Sequence, residues 1–315
     1  MKLFFFHSAI IGRTRVHVAV ASTLLACALG IAPAFAQAPL PKPSAPPQAD
    51  PAPAPAPVYP AAELDRIVSP IALYPDPLLA QVLAAATFPM DIPEAARWAD
   101  EHHVLAGAQL TAAISADRLP WDPSIQALLP FPSVLDLMAS AMPWTEEIGE
   151  AFLAQRVDVM DAVQRMRQKA QHDGYLRSNP QVTVSQGPYV EIQPVDPGFI
   201  VVPFYDPYIL LEPPRPGIVI GGAVRFGFGV RIGAAFAPWG WGSTRFIWSS
   251  HAVIVNNTAW RREWVNRAHY VHPYPGIPHY VGPRLPDRHR PAPRTPAERV
   301  APRNGHLPTE SHRDK

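Results

Sequence analysis

Residues 72–86 read Ala-Leu-Tyr-Pro-Asp-Pro-Leu-Leu-Ala-Gln-Val-Leu-Ala-Ala-Ala, and residues 127–141 read Ala-Leu-Leu-Pro-Phe-Pro-Ser-Val-Leu-Asp-Leu-Met-Ala-Ser-Ala. The two stretches start 55 residues apart, and 6 of their 15 aligned positions are identical. Because proline is tolerated in the first turn of a helix, each stretch predicts a turn followed by an apolar helix. We interpret them as two motif copies of one helical unit, each too small to bury its apolar face alone. Chance similarity between alanine-rich helices is the alternative.

The surrounding residues 61–177 contain further helix signals and predict a duplicated helical domain. Asp76 and Asp122 each precede a proline, which predicts a helix N-cap followed by a first-turn proline. Asp91 and Glu94 have the spacing of a capping box. The last helix is expected to end at Gly174. It has a single apolar stripe, formed by Val159, Val163, Met166 and Ala170.

Residues 178–282 predict a small β region that is rich in Gly, Pro and Trp. Short β-branched or aromatic runs at 182–184, 189–192 and 199–202 are separated by Gly-Pro and Asp-Pro-Gly turns. For residues 222–236, alternation of apolar residues with Gly or Arg favours a strand, and a helix packed through its glycines is the alternative. The predicted fold class is therefore α+β, a duplicated all-α domain followed by this β region, with disordered termini.

The first 36 residues predict a secretory signal peptide. Basic residues come first, residues 16–29 are mostly apolar, and residues 34–36 read Ala-Phe-Ala, which is a small-x-small cleavage site. The apolar run is shorter than the roughly 20 residues of a membrane span. We therefore expect export to the periplasm or cell envelope.

Cys27, the only cysteine, gives an alternative processing route. Residues 24–27 read Leu-Leu-Ala-Cys, which resembles a lipobox, so that Cys27 would be lipidated and would anchor the protein to the membrane. Cleavage after Ala36 would instead remove this thiol, and the mature protein would have neither disulfides nor a cysteine nucleophile.

The ends of the mature chain are biased in composition. Residues 37–60 form a Pro/Ala-rich linker that is expected to be extended, and residues 283–315 form a Pro/Arg-rich tail that is expected to be disordered.

Residues 61–180 contain 16 acidic and 8 basic residues, whereas residues 181–315 contain 9 acidic and 15 basic residues. The two halves could dock on each other, or the basic half could contact an anionic surface, or the charges could simply be solvated.

Seven strings of the sequence carry a family resemblance, and they lie at residues 64–72, 74–83, 95–98, 121–124, 152–155, 158–164 and 201–207. They resemble the bacterial exported proteins grouped as domain of unknown function 3300. The similarity is close over residues 64–207 and weak beyond them. It implies an envelope location and a helical domain followed by a β and Gly-rich region. Because the resemblance brings no established activity, it assigns no catalytic residue.

A cluster of Trp and Arg in the β region is the candidate surface-binding site. Trp and Arg can bind lipid headgroups or sugars, and the alternative is that the aromatic rings fill the core of a small β region. Nucleic acid also suits such residues, but an exported protein rarely meets it, so we expect no nucleic-acid partner. The candidate residues are Trp239, Trp241, Trp260, Arg261, Arg262 and Trp264.

No residue pattern predicts a catalytic site, a metal site or a cofactor. Ligand-type side chains at residues 100–103 are adjacent, whereas metal sites on helices use i, i+3 or i, i+4 pairs. His269 and His272 are expected in a solvated, proline-flanked loop. The predicted function is a non-catalytic binding or scaffolding module that contacts an envelope protein or an anionic envelope surface. The alternative is a hydrolase or other enzyme acting on an envelope polymer, with Asp91 and Glu94 as candidate carboxylates.

Overall fold

The computed structural model describes residues 55–212 and 222–277, which all lie in one compact unit that begins at Pro53. The predicted signal peptide (1–36) with Cys27 and the predicted disordered tail (283–315) lie outside the described residues. Of the predicted linker (37–60), only residues 55–60 are described, and they contain no helix or strand.

Helices fill the first part of the described chain, and short antiparallel strands follow, so the predicted α+β class is confirmed. The two motif copies form α2 and α6, each after a turn that contains proline. The helices are α1 Ala61–Val68, α2 Asp76–Ala86, α3 Ile92–Glu101, α4 Gly107–Asp117, α5 Pro123–Gln126, α6 Pro132–Ser140, α7 Met142–Ala154, α8 Arg156–His172 and α9 Tyr208–Leu211. Single 3-10 segments occupy Pro89–Asp91, Ala234–Trp239 and Trp248–Ser250.

The helices of the two motif copies pack reciprocally. The aligned stretches place α2 opposite α6, and one gap later Glu94-Ala95 of α3 matches Glu150-Ala151 of α7. In the fold, α2 packs against α7 and α3 packs against α6, so each helix of one copy contacts the non-equivalent helix of the other. Two units that bury each other's apolar faces are expected to pack in this way, which supports the duplication.

The predicted helix ends are partly correct. Asp122 caps α5, because its carboxylate accepts a hydrogen bond from the Ser124 amide at 2.8 Å. The prediction for Asp76 was wrong: Pro75 occupies the N-cap position of α2, and Asp76 is buried inside the fold. The capping box was also wrong, because the Asp91 side chain makes no cap hydrogen bond to α3. Gly174 follows Asp173, the C-cap residue of α8, and has a φ of +78°, as a helix-ending glycine requires.

The strands pair in small antiparallel sheets. β1 pairs with β2, β3 with β6, β4 with β5, and β7 to β9 form a three-stranded sheet. Residues 225–231 contain two short strands and no helix, so the strand interpretation is correct there, and a 3-10 segment begins at Ala234. The strands are β1 Val182–Val184, β2 Ile192–Pro194, β3 Phe199–Ile200, β4 Pro203–Phe204, β5 Arg225–Phe226, β6 Val230–Arg231, β7 Arg245–Ile247, β8 Ala252–Val255 and β9 Thr258–Ala259.

Helices and strands share one hydrophobic core. Buried residues of α2, such as Leu78, belong to the same cluster as Ile192 of β2 and Val253 of β8. The boundary near residue 178 therefore separates helices from strands, but it does not separate two cores. Among the described residues, every helix is too short or too polar to cross a lipid bilayer.

Candidate functional site

Three tryptophans of the β region donate their indole N–H groups to the helical half. The bonds join Trp239 Nε1 to Gln126 Oε1 at 2.9 Å, Trp241 Nε1 to Ala127 O at 3.0 Å and Trp248 Nε1 to Asp76 Oδ2 at 3.0 Å. Both motif copies therefore receive tryptophans from the β region. These rings attach the strands to the helices.

A buried ion pair lies at the first motif copy. The carboxylate of Asp76 and the guanidinium of Arg167 in α8 are 2.6 Å apart, and both side chains are excluded from solvent. The Arg167 guanidinium also lies over the Trp248 ring, 5.1 Å from its centre. Its other hydrogen bonds go to the carbonyl oxygens of Ala72, Tyr74 and Val190.

Equivalent carbonyl groups of the two motif copies accept equivalent side-chain bonds. Ala72 and Ala127 occupy the first position of each copy. The Ala72 oxygen accepts from Arg167 Nε at 2.8 Å, whereas the Ala127 oxygen accepts from Trp241 Nε1 at 3.0 Å. In both copies, a side chain that is distant in sequence donates a hydrogen bond to the carbonyl at the first position. A buried carbonyl group needs such a donor.

The structure corrects the predicted surface site. Arg262 is buried: its Nη1 donates to the Thr87 carbonyl at 2.7 Å, and its guanidinium lies 3.7 Å from the Phe88 ring centre. Arg261 is exposed and Trp264 is half-buried, so only these two of the six residues could contact a surface. The other four predicted residues are buried, because their side chains lie between the β region and the helices. They are Trp239, Trp241, Trp260 and Arg262.

Replacing Trp241 with phenylalanine tests this attachment. The variant removes the indole donor and leaves the buried Ala127 carbonyl without it, which we expect to lower the free energy of unfolding by about 1–3 kcal/mol. Urea unfolding followed by circular dichroism measures the change. Tyr208→Phe, at an exposed position, is the control and should change stability by no more than about 0.5 kcal/mol. Equal stability of both variants would contradict the attachment role.

Strands β3 to β6 form an exposed aromatic and cationic surface. We call residues 199–204 and 225–231 the arginine–phenylalanine ribbon. Phe199 lies opposite Arg231, whose guanidinium is 4.4 Å from the ring centre, and Phe204 lies opposite Arg225. Phe204 is 55% exposed, and Phe228, in the segment between β5 and β6, is fully exposed. Both arginines are exposed, and neither pairs with a carboxylate among the described residues.

Glycine makes the ribbon surface possible. A Cβ atom at Gly227 would lie 3.0 Å from the Phe204 ring, and one at Gly229 would lie 3.3 Å from Phe199 Cβ. The alternating Gly and apolar pattern therefore lets each ring lie directly over the neighbouring strand. The ribbon consequently exposes the Phe204 and Phe228 rings and both guanidinium groups to solvent.

Comparison with known proteins identifies the family. A family model described as "Protein of unknown function (DUF3300)" matches residues 60–275, more than half of the chain. The chain belongs to this family. The Uncharacterized protein YacH of Escherichia coli (strain K12) is 32% identical across an alignment of 223 residues, which covers 56% of this chain and 36% of YacH. The chain thus spans about a third of the length of this relative. No solved structure matches the chain significantly.

The DUF3300 match ends at residue 275, so it includes the tryptophan-rich β region as well as the helices. Both sides of the three indole hydrogen bonds lie within it, as does the whole arginine–phenylalanine ribbon. The family model therefore covers the entire shared core.

Within this DUF3300 chain, the candidate chemical groups serve structural contacts. Glu94 accepts a hydrogen bond from Trp121 Nε1 at 3.4 Å, and Asp91 is buried. The solvated-loop prediction was wrong for His272, which is buried with its Nε2 2.8 Å from the Val255 oxygen; burial lowers the pKa of His272. His269 is exposed. In residues 55–212 and 222–277, no group of three His, Cys, Asp or Glu side chains could hold a metal ion.

The sequence does not predict the ribbon as a site. The alternation in residues 222–236 predicts a strand and the run at 199–202 predicts another, but neither pattern indicates that the two segments pair. The available signal was the Phe-Gly-Phe-Gly sequence between two arginines, since exposed phenylalanine beside glycine is unusual in a strand that packs on a core.

Proposed function

We propose that this protein is an exported, non-catalytic binding or scaffolding module that contacts an anionic membrane surface through the arginine–phenylalanine ribbon. The supporting observation is Phe228, which is fully exposed and lies in sequence between Arg225 and Arg231. A large exposed apolar side chain flanked by cations is typical of residues that enter the lipid headgroup region.

The chemistry of the ribbon suits a phospholipid headgroup layer. Guanidinium groups bind phosphate oxygens in a bidentate manner, and an aromatic ring can enter the boundary between headgroups and acyl chains. Charge supports the same partner, because residues 222–277 contain six arginines and one acidic residue. The acidic helical half would then remain available to an envelope protein.

The expected strength of this contact is modest. Burying one phenylalanine contributes about 2 kcal/mol, and each arginine near an anionic surface contributes about 1 kcal/mol. Together these give about 4 kcal/mol, which corresponds to a dissociation constant near the millimolar range. The ribbon alone would therefore bind reversibly, and lasting attachment would need a second contact, such as a lipid on Cys27 or a protein partner.

Vesicle sedimentation tests the proposal. The protein purified from the cells that make it is mixed with zwitterionic vesicles and with vesicles that also contain an anionic phospholipid. We expect stronger binding to the anionic vesicles, with the difference lost at high salt. A lipid on Cys27 would add equally to binding of both vesicle types, so the difference measures the attraction between the basic residues of the protein and the anionic lipid. No preference for anionic vesicles would overturn the proposed contact.

Ribbon variants locate the binding surface. Phe228→Ser should weaken binding at least about tenfold, and the double variant Arg225→Gln/Arg231→Gln should remove most of the preference for anionic vesicles. Val104→Ser, which changes an exposed apolar residue of the helical half, is the matched control and should bind like the parent protein.

Fractionation of the same cells tests export: intact precursor dissolved in the cytosol would contradict an envelope role.

A further inference from the structure

A cleft separate from the ribbon lies between α4 and the 3-10 segment Ala234–Trp239. Its volume is about 310 Å³, at the lower end of the range for small-molecule sites. One wall is a face of α4 that contains Thr111 and Ser115, which lie one helical turn apart. Trp239 and Ile277 line the opposite side. The cleft is open to solvent, and the ribbon residues do not line it.

Most polar hydrogens around the cleft are already used within the fold. The hydroxyl of Thr111 donates to the Ala108 carbonyl at 3.1 Å, and that of Ser115 donates to the Thr111 carbonyl at 2.8 Å. At the floor, Gln126 donates to two carbonyl groups and accepts from Trp239 Nε1. A ligand would therefore meet apolar walls and few available donors.

Arg118 supplies the charged group of the cleft. It lies at the C-cap of α4 with a φ of +49°, a left-handed conformation that is uncommon for residues other than glycine. Its side chain is exposed, lines the cleft, and has no ion-pair partner in the described part of the chain. The neighbouring Asp117 carboxylate instead accepts from Trp98 Nε1 at 2.8 Å. One unpaired guanidinium therefore stands beside an apolar surface.

We propose that this cleft binds a small organic carboxylate. The carboxylate would pair with Arg118, whose planar donors fit two oxygens, and the apolar body would lie against Ala112, Trp239 and Ile277. The ligand is thus distinguished by one negative charge at the end of an apolar or aromatic body. This site is independent of the proposed membrane contact, because the two use different residues.

Titration calorimetry with naphthaleneacetate, and with the uncharged naphthaleneacetamide of the same shape, tests the site in the whole protein. We expect one-site binding of the carboxylate and about tenfold weaker binding of the amide. Arg118→Asn removes the charge but retains a residue that tolerates the left-handed conformation. This variant should bind the carboxylate about tenfold more weakly and bind the amide unchanged.

A variant that fills the cleft tests whether the compounds bind there. Ala112→Trp places a ring in the cleft and should abolish binding of both compounds, whereas Ala116→Trp, at an exposed position of α4 outside the cleft lining, should leave it intact. Far-ultraviolet circular dichroism checks that both variants are folded. The proposal is overturned if the parent protein does not bind naphthaleneacetate or if folded Ala112→Trp binds it as tightly as the parent does. It is also overturned if Arg118→Asn binds each compound with the same affinity as the parent.

Discussion

Replacing Arg167 with methionine should lower the free energy of unfolding by about 3–5 kcal/mol, because removal of one partner leaves a buried charge uncompensated. The Asp76 carboxylate is 1% exposed and would lose its cation, although Trp248 Nε1 would still donate to it. The carbonyl groups of Ala72, Tyr74 and Val190 would also lose a donor. Urea unfolding of parent and variant, followed by circular dichroism, measures the difference.

Arg66→Met is the matched control for this substitution. Arg66 forms ion pairs with Glu63 and Glu147, but its side chain is 48% exposed, so its loss should cost less than about 1 kcal/mol. The double variant Arg167→Met/Asp76→Leu should be less destabilised than the sum of its single variants, since it leaves no unpaired charge. Equal effects of Arg167→Met and Arg66→Met would show that the buried pair does not stabilise the fold.

Local signals predicted the helices well. The proline turns before α2 and α6, the Asp122 cap and the glycine after α8 depend on residues that are neighbours in sequence. Steric and hydrogen-bonding rules for such neighbours apply before any tertiary contact forms. The interpretation as a duplication also depends on local patterns, because two copies of one packing unit are expected to keep similar apolar residues.

Long-range contacts explain the errors. Asp76 has the local sequence of an N-cap, but its partners Arg167 and Trp248 are 91 and 172 residues away. Trp241 is likewise 114 residues from the carbonyl that it binds. A tryptophan and arginine cluster has the same composition whether it faces a membrane or a neighbouring helix. Composition alone therefore could not separate the buried residues of this cluster from the exposed ribbon.

Replacing Gly149 with alanine should lower the free energy of unfolding by at least about 2 kcal/mol, although alanine favours an exposed helix by about 1 kcal/mol over glycine. Gly149 lies in α7 where this helix packs against the end of α2. An added Cβ would lie 2.1 Å from the Ala86 carbonyl oxygen and 2.7 Å from its carbon. Because both are backbone atoms, no side-chain rotation relieves the clash, and the helices of the two motif copies must separate.

Two further variants make this prediction specific. Gly187→Ala, where the nearest atom to the added Cβ is 3.9 Å away, should change stability by no more than about 0.5 kcal/mol. Ala86→Gly should not rescue Gly149→Ala, because the clash involves the main chain of Ala86 and not its methyl group. Urea unfolding of the single and double variants measures both effects. Rescue by Ala86→Gly, or a Gly149→Ala variant as stable as the parent, would show that α2 and α7 do not approach this closely.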